Sequence, residues 1–164
     1  MAVDKEKLEK KIGEAIGLEI AAQNAVEELS SRGLLPTKRA VKDKLERMRK
    51  QAGNHQAGMD VLVTKLIKLD GLESSKVRQA THETEQKATK IMETYLGEDP
   101  DSQEALEFLC LAEAGEVTHY EVLNAMATRV KNKEFSTKVK SILAEERRHL
   151  LLCTQLAKIN ATAS

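Results

Sequence analysis

A glutamate and a histidine near the C-terminal end of the chain have the spacing of a metal-binding pair. Glu146 and His149 are separated by two arginines, and residues three apart on an α-helix lie one turn apart on the same face. The same face continues through apolar residues such as Ile142 and Cys153, so we expect both side chains to point inward. Because a buried charge is costly unless it is paired or bound to a metal, the pair predicts a metal site.

Two further glutamates, Glu113 and Glu116, interrupt the apolar face of an earlier helix. In an antiparallel helix pair, residues at one level have a constant sum of residue numbers. The sums for Glu113 with His149 and for Glu116 with Glu146 are equal, and they place a turn near residues 131–133, where the sequence Lys-Asn-Lys itself predicts one. We therefore expect these four side chains to meet inside one helical hairpin.

The first part of the chain is related to the second by an internal repeat. A shift of 94 residues places Glu19 on Glu113 and His55 on His149, and it superimposes apolar positions of the two halves as well. The repeat predicts a second antiparallel hairpin, with its turn near Pro36, that brings Glu19 and His55 to one level.

Six polar side chains are thus expected to converge in the middle of a helical bundle: Glu19, His55, Glu113, Glu116, Glu146 and His149. Four neighbouring carboxylates in an apolar interior cannot all stay ionised without a countercharge. Two divalent cations would supply that charge, with carboxylates bridging them and one imidazole on each. Mixed oxygen and nitrogen ligands suit iron, manganese or zinc better than magnesium or calcium.

Composition favours helices as the elements that position these residues. Aromatic residues make up 2% of the chain and prolines number only two, whereas sheets are rich in aromatic and β-branched residues. Capping residues, glycines and prolines divide the chain into five predicted helices. We expect the first helix at about 4–32 and the second from a cap at Thr37 or its neighbour to Leu69. The third is expected at about 76–96, after caps at Ser74 and Ser75. The fourth should run from about 100, with Pro100 in its first turn, to 131, and the fifth over about 134–159.

Bulk properties narrow the class of protein further. The 164 residues fit one domain, and 26 basic residues balance 26 acidic ones, so the net charge indicates neither nucleic acid nor a membrane as a partner. No stretch has the length and apolarity of a membrane span, and the charged first residues lack the apolar core of a signal peptide. Cys110 and Cys153 match no zinc or haem spacing. We expect a cytoplasmic protein.

The six residues and their repeat resemble the ferritin-like di-metal carboxylate superfamily, and rubrerythrins more than true ferritins. That architecture uses one Glu from each of two helices and a Glu-x-x-His from each of the other two. The resemblance spans residues 19–149. It implies an all-α, antiparallel four-helix bundle of two helical hairpins, with the helix at about 76–96 as an additional helix in the long crossover.

Carried over position by position, the resemblance assigns metal-ligand roles to the same six residues. It makes Glu19 the first-helix ligand, His55 the second-helix histidine, Glu113 the third-helix ligand, Glu116 the additional carboxylate of rubrerythrin-like members, and Glu146 with His149 the fourth-helix motif. One position departs from the pattern, because Ala52 stands where the second helix of the family carries a Glu. The expected outcomes are an asymmetric dinuclear site, a single occupied position, or a site without metal.

The resemblance implies a non-haem di-iron protein that reacts with dioxygen or hydrogen peroxide as a ferroxidase or peroxidase. Manganese or zinc are alternative metals, and a homodimer is an expected assembly. The chain lacks the paired Cys-x-x-Cys motifs of a rubredoxin domain, so an external electron donor is needed. Three alternatives stay open: a metal-storing or metal-sensing bundle without turnover, a metal-free helical interaction module, and a haem-binding bundle.

Four neighbouring residues could support the site rather than form it. His119 lies at the edge of the apolar face, where a hydrogen-bonding role is favoured over ligation. Tyr120 follows Glu116 by one turn and could serve the site in two roles, by hydrogen-bonding a ligand or by being oxidised, or it could simply fill the core. Cys110 and Cys153 fall at nearly one level, where core packing is favoured over a redox pair.

Overall fold

Five long α-helices account for most of the chain. A computed structural model describes residues 3–163, and this part of the chain contains no β-strand. The helices are α1 (Lys5–Ser31), α2 (Arg39–Asp70), α3 (Ser74–Leu96), α4 (Ser102–Ala127) and α5 (Lys133–Thr162). The all-α class predicted from composition and periodicity is confirmed for the described residues.

Helices α1, α2, α4 and α5 form a bundle of two hairpins. Side chains at Glu27 and Arg49 join α1 to α2, and those at Glu121 and Arg147 join α4 to α5. In both hairpins the residue numbers of contacting partners rise on one helix while they fall on the other, so each pair is antiparallel. The hairpins also pack against each other, α1 on α4 and α2 on α5.

Helix α3 carries the chain back along the outside of the bundle, between the end of α2 and the start of α4. It lies parallel to α1 and very close to it, because α1 has glycines at the contact. A Cβ atom at Gly13 would lie 2.5 Å from the Val77 carbonyl oxygen, and one at Gly17 would lie 2.6 Å from that of Thr81. The two glycines therefore permit this close approach of the helix backbones.

The polar residues predicted to form a site divide the apolar core into two parts. One apolar cluster contains Ile12, Tyr120 and Phe135, and the other contains Leu29 and Leu106. Along α1 the buried charged residue between the two clusters is Glu19. The apolar clusters thus close both ends of the polar layer.

Several predicted helix ends need correction. Helix α4 begins at Ser102 rather than near Pro100, because the Asp101 carboxylate caps it and Glu104 completes a capping box. It ends at Ala127, earlier than the predicted end at residue 131. Helix α3 begins at Ser74, two residues before the prediction, and the Glu9 carboxylate of α1 accepts a hydrogen bond from the Glu73 backbone N–H there at 2.7 Å.

Within residues 3–163, no helix combines the length and apolarity needed to cross a bilayer.

The contact between α1 and α3 leads to a stability prediction. We expect Gly17→Ala to lower the free energy of unfolding by about 1–3 kcal/mol, because the new methyl group overpacks the contact with Thr81 and Thr84. Gly115→Ala is the matched control on α4, since a Cβ there meets nothing within 4 Å, and it should add about 0.5–1 kcal/mol through helix propensity. Urea unfolding measures both, and a Gly17→Ala protein as stable as wild type would contradict the packing.

Candidate metal centre

The structure places all six predicted residues in one buried cluster at the middle of the bundle. Each is at most 5% exposed. Two groups of three residues each bring one ligand atom per residue within 4.8 Å of the others. The first group is Glu19, His55 and Glu146, and the second is Glu113, Glu146 and His149. Glu146 belongs to both groups, so its carboxylate stands between two candidate metal positions.

The first group is organised around the imidazole of His55. Its Nδ1 atom lies 2.7 Å from Glu146 Oε1 and 3.1 Å from Glu19 Oε1. Its Nε2 atom lies on the other side of the ring, 2.6 Å from an oxygen of Glu145. The ring therefore presents Nδ1 to the cluster while Glu145 accepts a hydrogen bond from Nε2–H.

The second group repeats this arrangement around His149. Its Nδ1 atom lies 3.4 Å from Glu146 Oε2 and 3.7 Å from Glu113 Oε2. The Gln51 side-chain oxygen lies 2.7 Å from Nε2 and can only accept from it. An acceptor on Nε2 favours the tautomer whose lone pair is on Nδ1, and metal-binding histidines are usually oriented in this way.

Gln51 and Glu145 are functional candidates that the sequence analysis missed. Each holds the histidine of the opposite hairpin, since Gln51 on α2 contacts His149 and Glu145 on α5 contacts His55. The two residues are themselves 94 positions apart, so the shift that relates the histidines also relates their acceptors. Applying that shift to every polar residue near the helix centres would have found them.

The same repeat is broken at two positions, which makes the cluster asymmetric. Ala52 corresponds to Glu146, and Ala22 corresponds to Glu116. Both alanines are buried. The second hairpin therefore supplies three carboxyl groups and the first hairpin only Glu19.

Buried carboxyl groups at such close range shift one another's ionisation. Burial, together with the nearby charge of Glu146, raises the pKa of Glu113 and that of Glu116 well above their ordinary value. Burial also raises the pKa of Glu19 to about 8. Without a metal, these three side chains are favoured in their protonated, neutral forms.

Glu146 and His55 form the charged centre of the metal-free cluster. Burial opposes the ionisation of Glu146, but the two imidazoles outweigh it, His149 by its proximity at 3.4 Å and His55 by hydrogen bonding at 2.7 Å, and hold the pKa of Glu146 well below its ordinary value. Burial would lower the pKa of His55, but the hydrogen bonds to Glu146 and Glu19 outweigh it and raise the pKa to about 10. A buried imidazolium–carboxylate pair results.

Oxygen atoms without partners mark the interior of the cluster. One oxygen each of Glu19, Glu113, Glu116 and Glu146 is buried and accepts no hydrogen bond. Buried polar atoms are nearly always hydrogen-bonded in folded proteins, and unpaired carboxyl oxygens beside imidazole nitrogens are a donor set that fits divalent cations.

The four flanking candidates differ in how they meet the cluster. Tyr120 donates a hydrogen bond from its hydroxyl to Glu19 at 2.8 Å, one of the two roles foreseen for it. His119 lies outside the cluster: its Nδ1–H donates to the Gly115 carbonyl oxygen at 2.8 Å, and its Nε2 lies 3.8 Å from Glu14.

Cys110 and Cys153 are both free thiols. Cys153 is buried in the apolar core, with its sulfur 3.6 Å from that of Met48. Burial raises the pKa of both thiols. Their environment is that of core residues rather than reactive thiolates.

Comparison with known proteins finds no relative. No family model matches the chain, and neither a curated protein nor a solved structure does. The functional argument therefore depends on the geometry and chemistry of this cluster.

The ionisation pattern leads to a prediction for metal-free protein. Folding raises the pKa of Glu19 from 4.5 to about 8 and that of His55 from 6.5 to about 10. At a pH between the unfolded and folded pKa values of either group, the folded state binds more protons than the unfolded state, so stability falls as the pH rises. We expect the melting temperature in chelator to fall steadily from about pH 5 to about pH 9.

Glu19→Gln is the matched variant for this experiment. It should flatten the lower part of the profile, where Glu19 titrates, and reduce the fall above about pH 8 without abolishing it, because Glu146 still stabilises the His55 imidazolium. A melting temperature that is constant across the range would show that these groups are not buried together as described.

Proposed function

We propose that this protein is a dinuclear metal carboxylate protein that binds two iron ions and reacts with dioxygen or hydrogen peroxide. The observation that carries the proposal is the pair of three-residue groups sharing Glu146. Manganese and zinc suit the same oxygen and nitrogen donors. Iron is preferred because it is redox-active, and carboxylate ligands can rearrange as the charge of the metal changes.

Each residue has a distinct role in this proposal. His55 Nδ1 and Glu19 would hold one ion, and His149 Nδ1 and Glu113 would hold the other, with Glu146 between them. Glu116 would add a third carboxylate on the side of the second ion. Because Ala52 offers no ligand, the first ion would have fewer protein ligands than the second.

The iron, when bound, would supply the electrons for reduction of dioxygen or peroxide. The chain's own residues prepare the site for this. Glu145 and Gln51 fix the two imidazole rings, and the Tyr120 hydroxyl holds Glu19. The apolar clusters above and below exclude bulk water. Glu19, Glu113 and Glu116 can take up or release protons as the charge in the site changes.

The fold supports a ferritin-like arrangement as part of the proposal. The bundle consists of two antiparallel hairpins whose connection runs back along the molecule as α3. The four bundle helices each contribute at least one residue to the cluster. This is the distribution expected of ferritin-like di-metal sites.

The first test of the proposal is metal stoichiometry. Protein purified without chelator and loaded anaerobically with ferrous iron should bind two ions per chain. Glu146→Gln should lose both ions, because its carboxylate serves both positions, whereas His149→Ala should lose one. Elemental analysis of the desalted proteins measures the ratio, and circular dichroism verifies that the variants are folded.

Glu121→Gln is the control for nonspecific carboxylate effects. It removes a glutamate from the same helix as Glu113, but its partner is Arg147 and both side chains are exposed. It should retain two ions. Equal metal content in wild type and Glu146→Gln would contradict the proposed site.

The hydrogen bond from His149 to Gln51 predicts a separate effect on metal affinity. Gln51→Leu removes the acceptor while it keeps the approximate size of the side chain, so we expect affinity at the second position to fall about 10–100-fold. Gln51→Glu retains the acceptor and copies Glu145, so it should bind metal nearly as wild type does. Competition with a chromophoric chelator measures these constants, and equal affinity in wild type and Gln51→Leu would contradict the orienting role.

Oxygen consumption distinguishes a reactive site from a storage site. Anaerobically loaded wild-type protein should consume oxygen in proportion to its bound iron when it is mixed with air-saturated buffer. Glu146→Gln treated in the same way should consume no more than the buffer does. Iron bound at two per chain without oxygen or peroxide consumption would support a metal-storing bundle without turnover instead.

A further inference from the structure

An apolar cavity lies beside the candidate metal centre. It has a volume of about 300 Å³ and lies between α1, α3 and α4. An apolar cavity of roughly half that size is enough to hold benzene. The space is therefore large enough for an organic molecule and much larger than dioxygen requires.

The cavity is elongated and ends at a residue of the metal cluster. Its wall extends along α1 from Leu18 to Glu28, which is about 15 Å at the rise of an α-helix. Glu116 and His119 form the wall near the Leu18 end, and Phe108 and Met92 form it near the other.

Small side chains keep this space open. The wall includes residues from all three helices that are no larger than alanine: Ala21, Ala22, Ala25, Ala88, Ala112 and Gly115. A methyl group at Gly115 would meet no other atom within 4 Å. Ligand sites are typically concave and lined mainly by apolar side chains with a few polar ones, so this apolar space beside a polar cluster favours a binding role.

The charges on the wall restrict the kind of ligand. Among the described residues no lysine or arginine lines the cavity, and its two acidic residues, Glu116 and Glu28, lie near opposite ends. An anionic head group would find no lysine or arginine to pair with there. At the surface the rim carries exposed apolar residues from two helices, Ile91 and Leu111.

From these observations we propose that the cavity binds a neutral molecule with a single unbranched alkyl chain, such as an alcohol, aldehyde or alkane, with one end against Glu116. The extent of about 15 Å along α1 fits an extended chain better than a ring system. Binding of the chain depends on the cavity alone. Only the placement of its end beside the metal ions rests on the proposed function.

The test uses 1-octanol as the probe and calorimetric titration of the metal-free and metal-loaded protein. Octanol should bind wild type in both states. Gly115→Leu fills the cavity without a backbone clash and should weaken octanol binding at least tenfold. Gly115→Ala, the matched control, should bind octanol within about twofold of wild type. Ala88→Leu fills the same space from α3 and serves if Gly115→Leu does not fold.

A second measurement tests where the ligand's end lies. In protein loaded with cobalt(II), octanol should change the visible absorption spectrum of wild type and of Gly115→Ala but not that of Gly115→Leu. The proposal would be overturned if wild type bound no octanol, or if Gly115→Leu and Ala88→Leu bound octanol as tightly as wild type does. Octanol binding that leaves the cobalt spectrum unchanged would overturn the placement. If the protein holds no metal yet binds octanol in this cavity, the proposed function fails while the alkyl-chain site stands.

Discussion

The structure depends on the interaction of Glu146 with two histidines at the centre of the bundle. Glu146 is fully buried and lies within reach of His55 on one side and His149 on the other. A lone carboxylate in this position would be strongly destabilising, because a buried charge without partners loses its hydration. This one charge is stabilised by the two imidazoles, by neighbouring carboxyl groups in their protonated form, and by the hydrogen-bond acceptors on the far side of each imidazole ring.

The internal repeat explains how such a centre is built and why it is uneven. Equivalent positions in the two hairpins supply Glu19 and Glu113, the two histidines, and the pair Gln51 and Glu145. Each hairpin's histidine is held by the other hairpin, so neither half can form the arrangement alone. The symmetry is lost at Ala52, whose counterpart is the central glutamate, and this concentrates negative charge on the second hairpin.

Much of the site could be predicted from sequence because periodicity reports which face of a helix is buried. Glutamates and histidines at the centres of otherwise apolar faces identified the cluster, and the repeat fixed their levels. Gln51 and Glu145 escaped because they lie beside the buried face, and their role depends on contacts between hairpins that periodicity does not describe. The approach of α3 to Gly17 escaped for the same reason. The end of α4 was misplaced because residues 128–132 leave the helix through tight turns, while the apolar pattern continues to Val130.

The central claim is that Glu146 stands between two metal ions. Diffraction from crystals of iron-loaded protein, recorded on both sides of the iron absorption edge, tests it most directly. The account predicts two anomalous peaks per chain, one next to Nδ1 of His55 and one next to Nδ1 of His149, with the Glu146 carboxylate between them. The absence of iron from these positions, or a single ion that does not contact Glu146, would contradict it.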